Sequence, residues 1–390
     1  MPIQNRFSEM QAEVTAWRRD LHEHPELLFD THRTAGIVAD KLRAFGCDEV
    51  ATGIGRTGVV GIIHGRQNTS GRTIGLRADM DALPINETTG LPHASKTPGM
   101  MHACGHDGHT AMLLGAAKYL AETRNFNGSV AVIFQPAEEG GGGGREMVED
   151  GMMDRFNITE VYGMHNKPGA PVGDFSIRPG PLLAAVDILT VDIEGLGGHA
   201  ARAFAAVDTT LIAAHIILAL QNIAARTTDP LDQVVVSMTS LQTESATHNV
   251  IPQKAQLLGT VRTLRPETRD RVEAEFRRVI AATAAAYGGK VSIDYNRSYP
   301  VTVNTEPQTA FATEIAREVV GDARVEADIL PIMGGEDFSF MLEARPGAMI
   351  FAGNGDTANV HHPDYDFNDE LIPYGCSFWA TLVAKALPVT

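Results

Sequence analysis

Three histidines, one cysteine and one aspartate occur within the stretch GMMHACGHDGHT, from Gly99 to Thr110. Cys104 and His106 stand two positions apart, immediately before an expected helix, so both side chains could reach one cation. A metal and the positive end of that helix would stabilise the Cys104 thiolate. The spacing predicts metal ligation, and the alternative is a polar loop with incidental histidines.

Two adjacent glutamates, Glu138 and Glu139, stand between an apolar run and the glycines at 140–144. Neighbouring side chains on an extended backbone face opposite ways, so one carboxylate could bind a metal while the other accepts a proton from water. Taken alone, such a pair is more typical of a solvated acidic turn. The glycines match no phosphate-binding motif, because G-K-[ST] and the last glycine of G-x-G-x-x-G are missing. They favour close approach of the backbone to the site instead.

Three more candidates lie in a later part of the chain. His199 follows the glycines of GLGGHAARAF, and Asn249 and Arg262 belong to HNVIPQKAQLLGTVRT. An arginine can bind a carboxylate through two hydrogen bonds. A lone histidine is usually structural or solvated, and an arginine on a strand usually lies at the surface. Residue type alone therefore assigns no role to them.

The elements expected around these residues explain how they could meet. Short runs rich in Val and Ile alternate with amphipathic helices, which predicts an α/β domain with a mostly parallel sheet. Ligands of such sheets usually bind beyond the carboxyl ends of the strands. The reactive side chains follow expected strands: Asp79, Asp81, Glu138, Glu139, His165, His361 and His362.

A change of rhythm indicates a second, inserted domain. From residue 182 the expected elements run β-α-β-β-α-β, which is typical of a ferredoxin-like α+β unit. The α/β pattern resumes after residue 297. We therefore predict a catalytic domain formed by residues 1–181 and 298–390, interrupted by a smaller domain at 182–297.

Composition limits the classes of partner. The chain has 390 residues and a net charge of -16. Such acidity argues against a nucleic-acid partner, which needs clustered Lys and Arg. We find no run of about 18 apolar residues that would span a membrane. The N-terminal stretch lacks the apolar segment of a signal peptide, so we expect a cytoplasmic protein.

Eight segments between residues 77 and 369 form a recognisable series: RADMDALPINE, MHACGHDGHTAMLLGAA, FQPAEEGGGG, YGMHN, GGHAA, NVIPQKAQLLGTVRT, MGGEDFSF and HHPDYDFND. Together they resemble the amidohydrolase branch of the aminoacylase and carboxypeptidase G family of metallopeptidases. That branch includes hippurate hydrolases, N-acyl-amino-acid amidohydrolases and auxin-conjugate hydrolases. The resemblance covers nearly the whole chain, and it implies a two-metal α/β domain with an inserted lid domain that mediates dimerisation.

The resemblance also implies a metal-ligand set. Its members are Cys104, His106, Glu139, His165 and His361. The family histidine of the last motif stands two positions before a proline, which here is Pro363 and favours His361. The neighbouring His362 leaves that choice open.

Further roles follow from the same resemblance. Glu138 matches the general base, and His199 matches a lid histidine that polarises the substrate carbonyl. Asn249 and Arg262 match lid positions near the carboxylate of the substrate. The implied reaction is hydrolysis of the amide bond of an N-acyl amino acid by water that two divalent cations, zinc or manganese, activate. The implied assembly is a homodimer or a higher homo-oligomer.

Two other functions remain as alternatives. A peptidase or deacetylase of the same fold would act on short peptides or on a diamino-acid intermediate. The second alternative is a protein that only binds a metal or a ligand. The presence of Glu138 beside Glu139 disfavours this function, because pure binding needs no general base. A structural zinc site is disfavoured because its ligands usually come from local pairs.

Two segments depart from the family pattern. RAFAAVD follows GGHAA where the family often has a proline, and Lys167 stands where the branch usually has an aromatic residue. Both segments lie near the expected substrate region. They leave the acyl group and the amino acid of the substrate open.

Overall fold

The computed structural model describes residues 2–389, which form two compact units. Unit 1 contains residues 2–182, 303–330 and 337–389, and unit 2 contains residues 183–302 and 331–336. Unit 2 is thus inserted in the chain of unit 1. The lid and dimerisation roles expected of the insert stay predictions.

The helices and strands follow one another in three segments. The first contains α1 (Pro2–Glu23), α2 (His32–Phe45), β1 (Glu49–Ile54), β2 (Gly58–His64), β3 (Thr73–Asp79), α3 (His106–Thr123), β4 (Ser129–Gln135), α4 (Gly143–Glu149), α5 (Met152–Arg155), β5 (Ile158–Pro168), β6 (Phe175–Ser176) and β7 (Gly180–Leu183). The second contains β8 (Ala185–Glu194), β9 (Gly198–His199), α6 (Thr209–Asn222), β10 (Val234–Thr243), β11 (Val250–Ile251), β12 (Lys254–Thr263), α7 (Pro266–Ala286) and β13 (Lys290–Tyr299). The third contains β14 (Thr302–Asn304), α8 (Glu306–Val320), β15 (Val325–Glu326), α9 (Ser339–Ala344), β16 (Gly347–Gly355) and α10 (Ile372–Ala386).

Unit 1 is built on an eight-stranded sheet in the order β1-β2-β4-β3-β5-β16-β6-β15. Its central strands β4, β3, β5 and β16 run parallel, while β1 and β2 form an antiparallel edge. Strands β3, β4 and β16 are buried along their whole length, as expected for a sheet covered on both faces. The predicted α/β class with a mostly parallel sheet is confirmed.

Helix α3 connects this sheet to the site. It packs on β3 and contacts α1 and α10, and nearly all of its residues are buried. Because helix macrodipoles are positive at the N-terminus, its first residue, His106, stands where an anionic ligand is stabilised. The chain reaches this point from the carboxyl end of β3.

Unit 2 contains a four-stranded antiparallel sheet in the order β10-β12-β8-β13. Strand β8 alternates: Leu189 and Val191 are buried in the core that α6 and α7 share, whereas Ile188 is exposed. This period of two marks a sheet covered by helices on one face. The order β8-α6-β10-β12-α7-β13 confirms the predicted ferredoxin-like fold.

One helical stretch in unit 2 is unusually apolar. Thr209–Thr227 is long and apolar enough to cross a membrane, and 33% of its most apolar window is buried. A single helix of this kind is weak evidence for a membrane span, since core helices of soluble proteins can have the same length and composition. The cytoplasmic location stays a prediction.

Candidate metal and active site

The turn before α3 positions Cys104 and His106. Between them, Gly105 has a φ of 90° and caps the helix. A Cβ at this position would lie 2.4 Å from Asn166 and 2.5 Å from Tyr365, so only glycine fits. The backbone between Cys104 and His106 is therefore a tight turn and not an extended segment. It nevertheless places ligand atoms of Cys104, His106 and His165 within 4.8 Å of one another.

Two of the predicted histidine ligands are oriented through Nδ1. His106 Nδ1 donates to the carbonyl oxygen of Asp81 at 2.8 Å, and His165 Nδ1 donates to that of Asn166 at 2.7 Å. The lone pair of each neutral ring then lies on Nε2, as in metal-binding histidines. Among the described residues, buried His106 Nε2 has no hydrogen-bond partner. His165 Nε2 lies 3.4 Å from Cys104 Sγ.

The adjacent glutamates occupy a turn after β4, which begins at Ala137 with a φ of 54°. Asp81 fixes this turn, because its Oδ1 accepts the N–H of Glu138 at 3.0 Å and its Oδ2 accepts the N–H of Glu139 at 3.1 Å. The two carboxylates therefore do not face opposite ways, as an extended backbone would require. Both approach His106, with ligand atoms of the three residues within 4.8 Å.

Of the two histidines in the last motif, His361 lies with the other predicted ligands. His361 Nε2 lies 3.3 Å from Glu139 Oε1, and these atoms and Cys104 Sγ lie within 4.8 Å of one another. His362 instead accepts the N–H of Asp364 at Nδ1, over 3.1 Å. The structure thus places all five predicted ligands in overlapping groups within unit 1.

Three carboxylates lie within 4.0 Å of the His106 ring nitrogens: those of Asp79, Asp81 and Glu139. Burial opposes the charged form of His106, but Asp79, Asp81 and Glu139 outweigh it and raise its pKa to about 10. Burial and the carboxylate of Glu139 raise the pKa of the Cys104 thiol well above its usual value. Buried carboxylates that accumulate in this way need positive charge, which a proton or a metal ion can supply.

The residues present fit a pair of divalent cations. Buried His106 Nε2 and Glu139 Oε1 make no hydrogen bond within residues 2–389, and buried polar atoms without partners point to a missing ion or water. Imidazole, thiolate and carboxylate together suit zinc, and the nitrogen and oxygen donors also admit manganese. Cys104, His106 and Glu139 each belong to more than one ligand group, which would suit two neighbouring ions.

A layer of supporting residues surrounds the predicted ligands. His109 Nδ1 donates to Asp79 Oδ1 at 2.6 Å, and its Nε2 accepts the N–H of Asn166 at 3.0 Å. Tyr365 donates to Asn166 Oδ1 at 2.9 Å, and Asn166 Nδ2 donates to the Cys104 carbonyl at 2.6 Å. His109 is therefore a buried link between β3 and β5. Two sequence signals pointed to this layer: the position of Asp79 and Asp81 at a strand end, and the presence of His109 in the stretch GMMHACGHDGHT.

The remaining candidates lie in unit 2. His199 is exposed, and its Nδ1 accepts the N–H of Ala201 at 3.1 Å, so the neutral ring carries its proton on Nε2 and can donate it. The N–H of Ala200 donates to the Asn249 carbonyl at 3.0 Å, which ties these two segments together. Arg262 lies on β12, where burial lowers its pKa.

Comparison with known proteins agrees with this geometry. Residues 75–385 match the peptidase family M20/M25/M40. The chain belongs to this family. Hippurate hydrolase of Campylobacter jejuni is 41% identical, with 97% of this chain and 98% of that protein covered. N-acetylcysteine deacetylase of Bacillus subtilis is 39% identical, with 95% and 96% covered.

A solved structure extends the similarity to the fold. A Bacillus subtilis protein described as a dinuclear metal-binding peptidase of the M20 family superimposes with a TM-score of 0.82 at 35% identity, over 98% of this chain and 100% of that one. The predicted resemblance to the amidohydrolase branch is confirmed. The protein is a metal-dependent hydrolase of this family.

Proposed function

We propose that the protein hydrolyses the amide bond of N-acyl amino acids with a metal-activated water. The observation that carries this proposal is the convergence of five predicted metal ligands with one further acidic side chain, Glu138, near the carboxyl ends of the central strands. The names of the relatives, a hippurate hydrolase and an N-acetylcysteine deacetylase, support the choice of substrate class.

Within this proposal, one set of side chains holds the cations: Cys104, His106, Glu139, His165 and His361. Two bound divalent cations would lower the pKa of water and polarise the acyl carbonyl. His106 and His165 are held ready for ligation by their Nδ1 hydrogen bonds. The protein therefore supplies metal-ligand atoms that are held in position and lie beside the buried carboxylates of Asp79 and Asp81.

Glu138 is the proposed base. Its carboxylate accepts a proton from the attacking water and then gives that proton to the leaving amine nitrogen. The backbone N–H of Glu138 donates to Asp81 Oδ1, which holds this residue beside the proposed ligands. His199 donates from Nε2 to the carbonyl oxygen as negative charge develops there. Asn249 and Arg262 bind the carboxylate of the amino acid.

The runner-up is a peptidase or deacetylase on the same scaffold. The N-acetylcysteine deacetylase and the M20 peptidase among the similar proteins support it. The two proposals share the chemistry and differ in the groups on either side of the scissile bond. Substrate preference therefore decides between them.

We also propose a homodimer formed through unit 2. Helix α6 exposes Leu211 and Leu218, which are seven positions apart and so share one face. Strand β10 is an edge of its sheet, and an unpaired edge can bind a second strand. If this face is the interface, Leu218→Glu yields monomers in light scattering, whereas Leu231→Glu, at another exposed position of unit 2, leaves the assembly unchanged.

A substrate panel tests the proposed function. Metal-free protein is reconstituted with zinc or with manganese and assayed on N-benzoylglycine, N-acetyl amino acids and dipeptides. We expect no activity without metal and the highest kcat/KM on an N-acyl amino acid. Turnover of dipeptides alone would instead select the peptidase, and turnover by the metal-free protein would contradict both proposals.

A further inference from the structure

Lys167 lies on the same strand as a predicted metal ligand and faces the same way. It stands two positions after His165 in β5, and residues two apart on a strand point to one side of the sheet. Both residues are partly exposed, whereas Asn166 between them is buried. An aromatic residue is expected at this position from the family resemblance, so the lysine is a departure of this chain. Its amine belongs to the side of the sheet on which His165 meets the other ligands.

A row of side chains across three strands connects the ligand to this amine. His165 pairs with Phe351 of β16, and Phe351 pairs with Ser176 of β6. Paired residues point to the same face, so the imidazole, the phenyl ring and the hydroxyl lie side by side. The ring centres of His165 and Phe351 are 6.2 Å apart, and Lys167 Nζ lies 5.9 Å from the same phenyl centre. Lys167 Nζ donates to Ser176 Oγ at 3.3 Å. The amine is thus one side chain away from a metal ligand.

The positive charge of Lys167 forms no ion pair within residues 2–389. Two acidic residues line the same cavity, Asp174 and Glu326. Asp174 is already bound to Arg324 at 2.6 Å, and Glu326 is exposed to solvent. The chain contains 48 Asp and Glu for 32 Lys and Arg, so carboxylates are plentiful elsewhere. A lysine without such a partner beside the site can bind an anionic group of a ligand.

A cavity of about 350 Å³ gives a ligand room to reach this amine. Lys167 and Ser176 line it together with the apolar residues Pro171, Phe175 and Val325. Ser176 is only 7% exposed, and within the described residues its hydroxyl accepts from Lys167 but donates to no acceptor. A carboxylate can accept hydrogen bonds from both groups, one of them charged. An ammonium group finds a like charge at the same place.

We propose that Lys167 selects substrates by charge: with Ser176 it binds a second carboxylate of the substrate and disfavours a positively charged group there. This inference rests on the proposed function, in which the amide bond is cleaved at the metal ligands. Residues two apart on a strand lie roughly 7 Å apart, so the amine is within reach of a charged group a few bonds from the scissile carbonyl. Such a group occurs on a succinyl acyl group and on the side chain of glutamate. The chemistry is the same in both cases, and the experiment distinguishes them.

The test uses two series of substrates that differ in one charge. The acyl series is N-succinylglycine, N-succinamoylglycine and N-(4-aminobutanoyl)glycine. The amino-acid series is N-acetylglutamate, N-acetylglutamine and N-acetyllysine. Wild type, Lys167→Met and Lys167→Glu are assayed as metal-loaded full chains. Lys385→Glu is the matched control, because it changes the net charge equally at an exposed lysine of unit 1, on α10.

We expect wild type to prefer the carboxylate to the amide and the amide to the amine in at least one series. Lys167→Met should lower kcat/KM for that carboxylate roughly tenfold, mainly through KM, and for the amide less than about twofold, because a charge-assisted hydrogen bond is lost. Lys167→Glu should reverse the order within the series, and Lys385→Glu should match wild type. The series that responds shows whether the selected group belongs to the acyl side or to the amino acid.

The outcomes separate this inference from the proposed function. If wild type shows no such order, or if Lys167→Met lowers kcat/KM equally for all members of a series or not at all, the inference is overturned and N-acyl hydrolysis stands. Equal losses with less bound metal, measured by elemental analysis, would show that Lys167 only supports His165, which also overturns it. If wild type cleaves no N-acyl amino acid, the proposed function falls and the inference falls with it.

Discussion

At the scale of single residues, the division of labour between Glu138 and Glu139 comes from their surroundings. Glu139 Oε1 lies 3.3 Å from His361 and 4.0 Å from His106, between two proposed ligands. Glu138 approaches the same group of atoms from the neighbouring position of the turn. Identical side chains can thus serve as ligand and base, because one of them is enclosed by ligands and the other stands beside them.

We therefore expect Glu138→Gln to lower kcat by roughly 10²–10⁴-fold, because glutamine keeps the size and polarity but cannot accept the proton. Bound metal, measured by elemental analysis, should change little. Glu139→Gln is the matched control, and there metal content should fall. Near-normal turnover of Glu138→Gln would remove this residue from the role of base.

Cys104 offers a spectroscopic prediction. If its thiolate is a ligand, protein loaded with Co²⁺ should show a thiolate-to-cobalt charge-transfer band in the near ultraviolet, and Cys104→Ala should lose both the band and much of the metal affinity. Cys47→Ala, which changes a half-buried cysteine elsewhere in unit 1, should keep both. A band that survives in Cys104→Ala would exclude ligation by this residue.

The sequence could indicate ligand types at this scale but not their geometry. Strand-end positions and motif spacing pointed to Cys104, His106 and Glu139. The spacing from Pro363 favoured His361 over His362, but the backbone turn at His361, with a φ of 65°, could not be predicted from that spacing. The two backbone bonds to Asp81 likewise depend on contacts between segments almost 60 positions apart.

At the scale of elements, helix α1 supports the site through contacts with the first turn of α3. His22 Nδ1 donates to Asp107 Oδ2 at 2.8 Å, and Arg18 lies 3.5 Å from the same oxygen. Asp107 is the second residue of α3 and follows His106 directly. No side chain caps α3 within the described residues, and Asp107 instead joins α1 to α3. Partners so far apart in the chain could not be predicted from local pattern.

This link should make stability depend on pH. Burial opposes the charged form of His22, but Asp107 outweighs it and raises the pKa to about 9 in the folded protein. Since the ordinary value is 6.5, the stabilisation is complete below about pH 6.5 and is lost as the pH rises through 9. We expect the difference in free energy of unfolding between wild type and His22→Gln to shrink by about 2–3 kcal/mol between pH 6 and 10.

Denaturant titrations at several pH values measure that difference. His24→Gln, directly after the end of the same helix and half-buried, is the matched control and should leave the profile of wild type unchanged. A constant difference between wild type and His22→Gln across the range would show that the charge of His22 does not stabilise the fold.

The order of the helices and strands could be predicted from the sequence more readily than the pairing of the strands. Runs such as GSVAVIFQ are apolar on both faces, which marks a strand of a covered sheet, and the β-α-β-β-α-β series fixes the connectivity of unit 2. The antiparallel pairing of β2 with β4 and the position of β16 between β5 and β6 arise from long-range pairing. Such pairing depends on which surfaces remain to be covered after the local elements form.

At the scale of the whole molecule, the chain separates the proposed chemistry between two units. The metal ligands and Glu138 belong to unit 1, and His199, Asn249 and Arg262 belong to unit 2. In the proposed homodimer, two-fold symmetry makes any exchange of residues reciprocal. We propose that each subunit lends His199 to the active site of the other, in keeping with the family resemblance.

Mixing two inactive variants tests this exchange. Glu138→Gln and His199→Ala are combined in equal amounts, dissociated and reassociated. If His199 acts on the partner's site, each heterodimer contains one intact site, with Glu138 from one chain and His199 from the other. Random pairing then restores activity to about a quarter of all sites. If His199 serves its own subunit, every site keeps one defect, and activity stays at the level of the separate variants. Subunit exchange is verified by differently labelled chains, so that an absence of recovery in fully exchanged protein rejects the reciprocal arrangement.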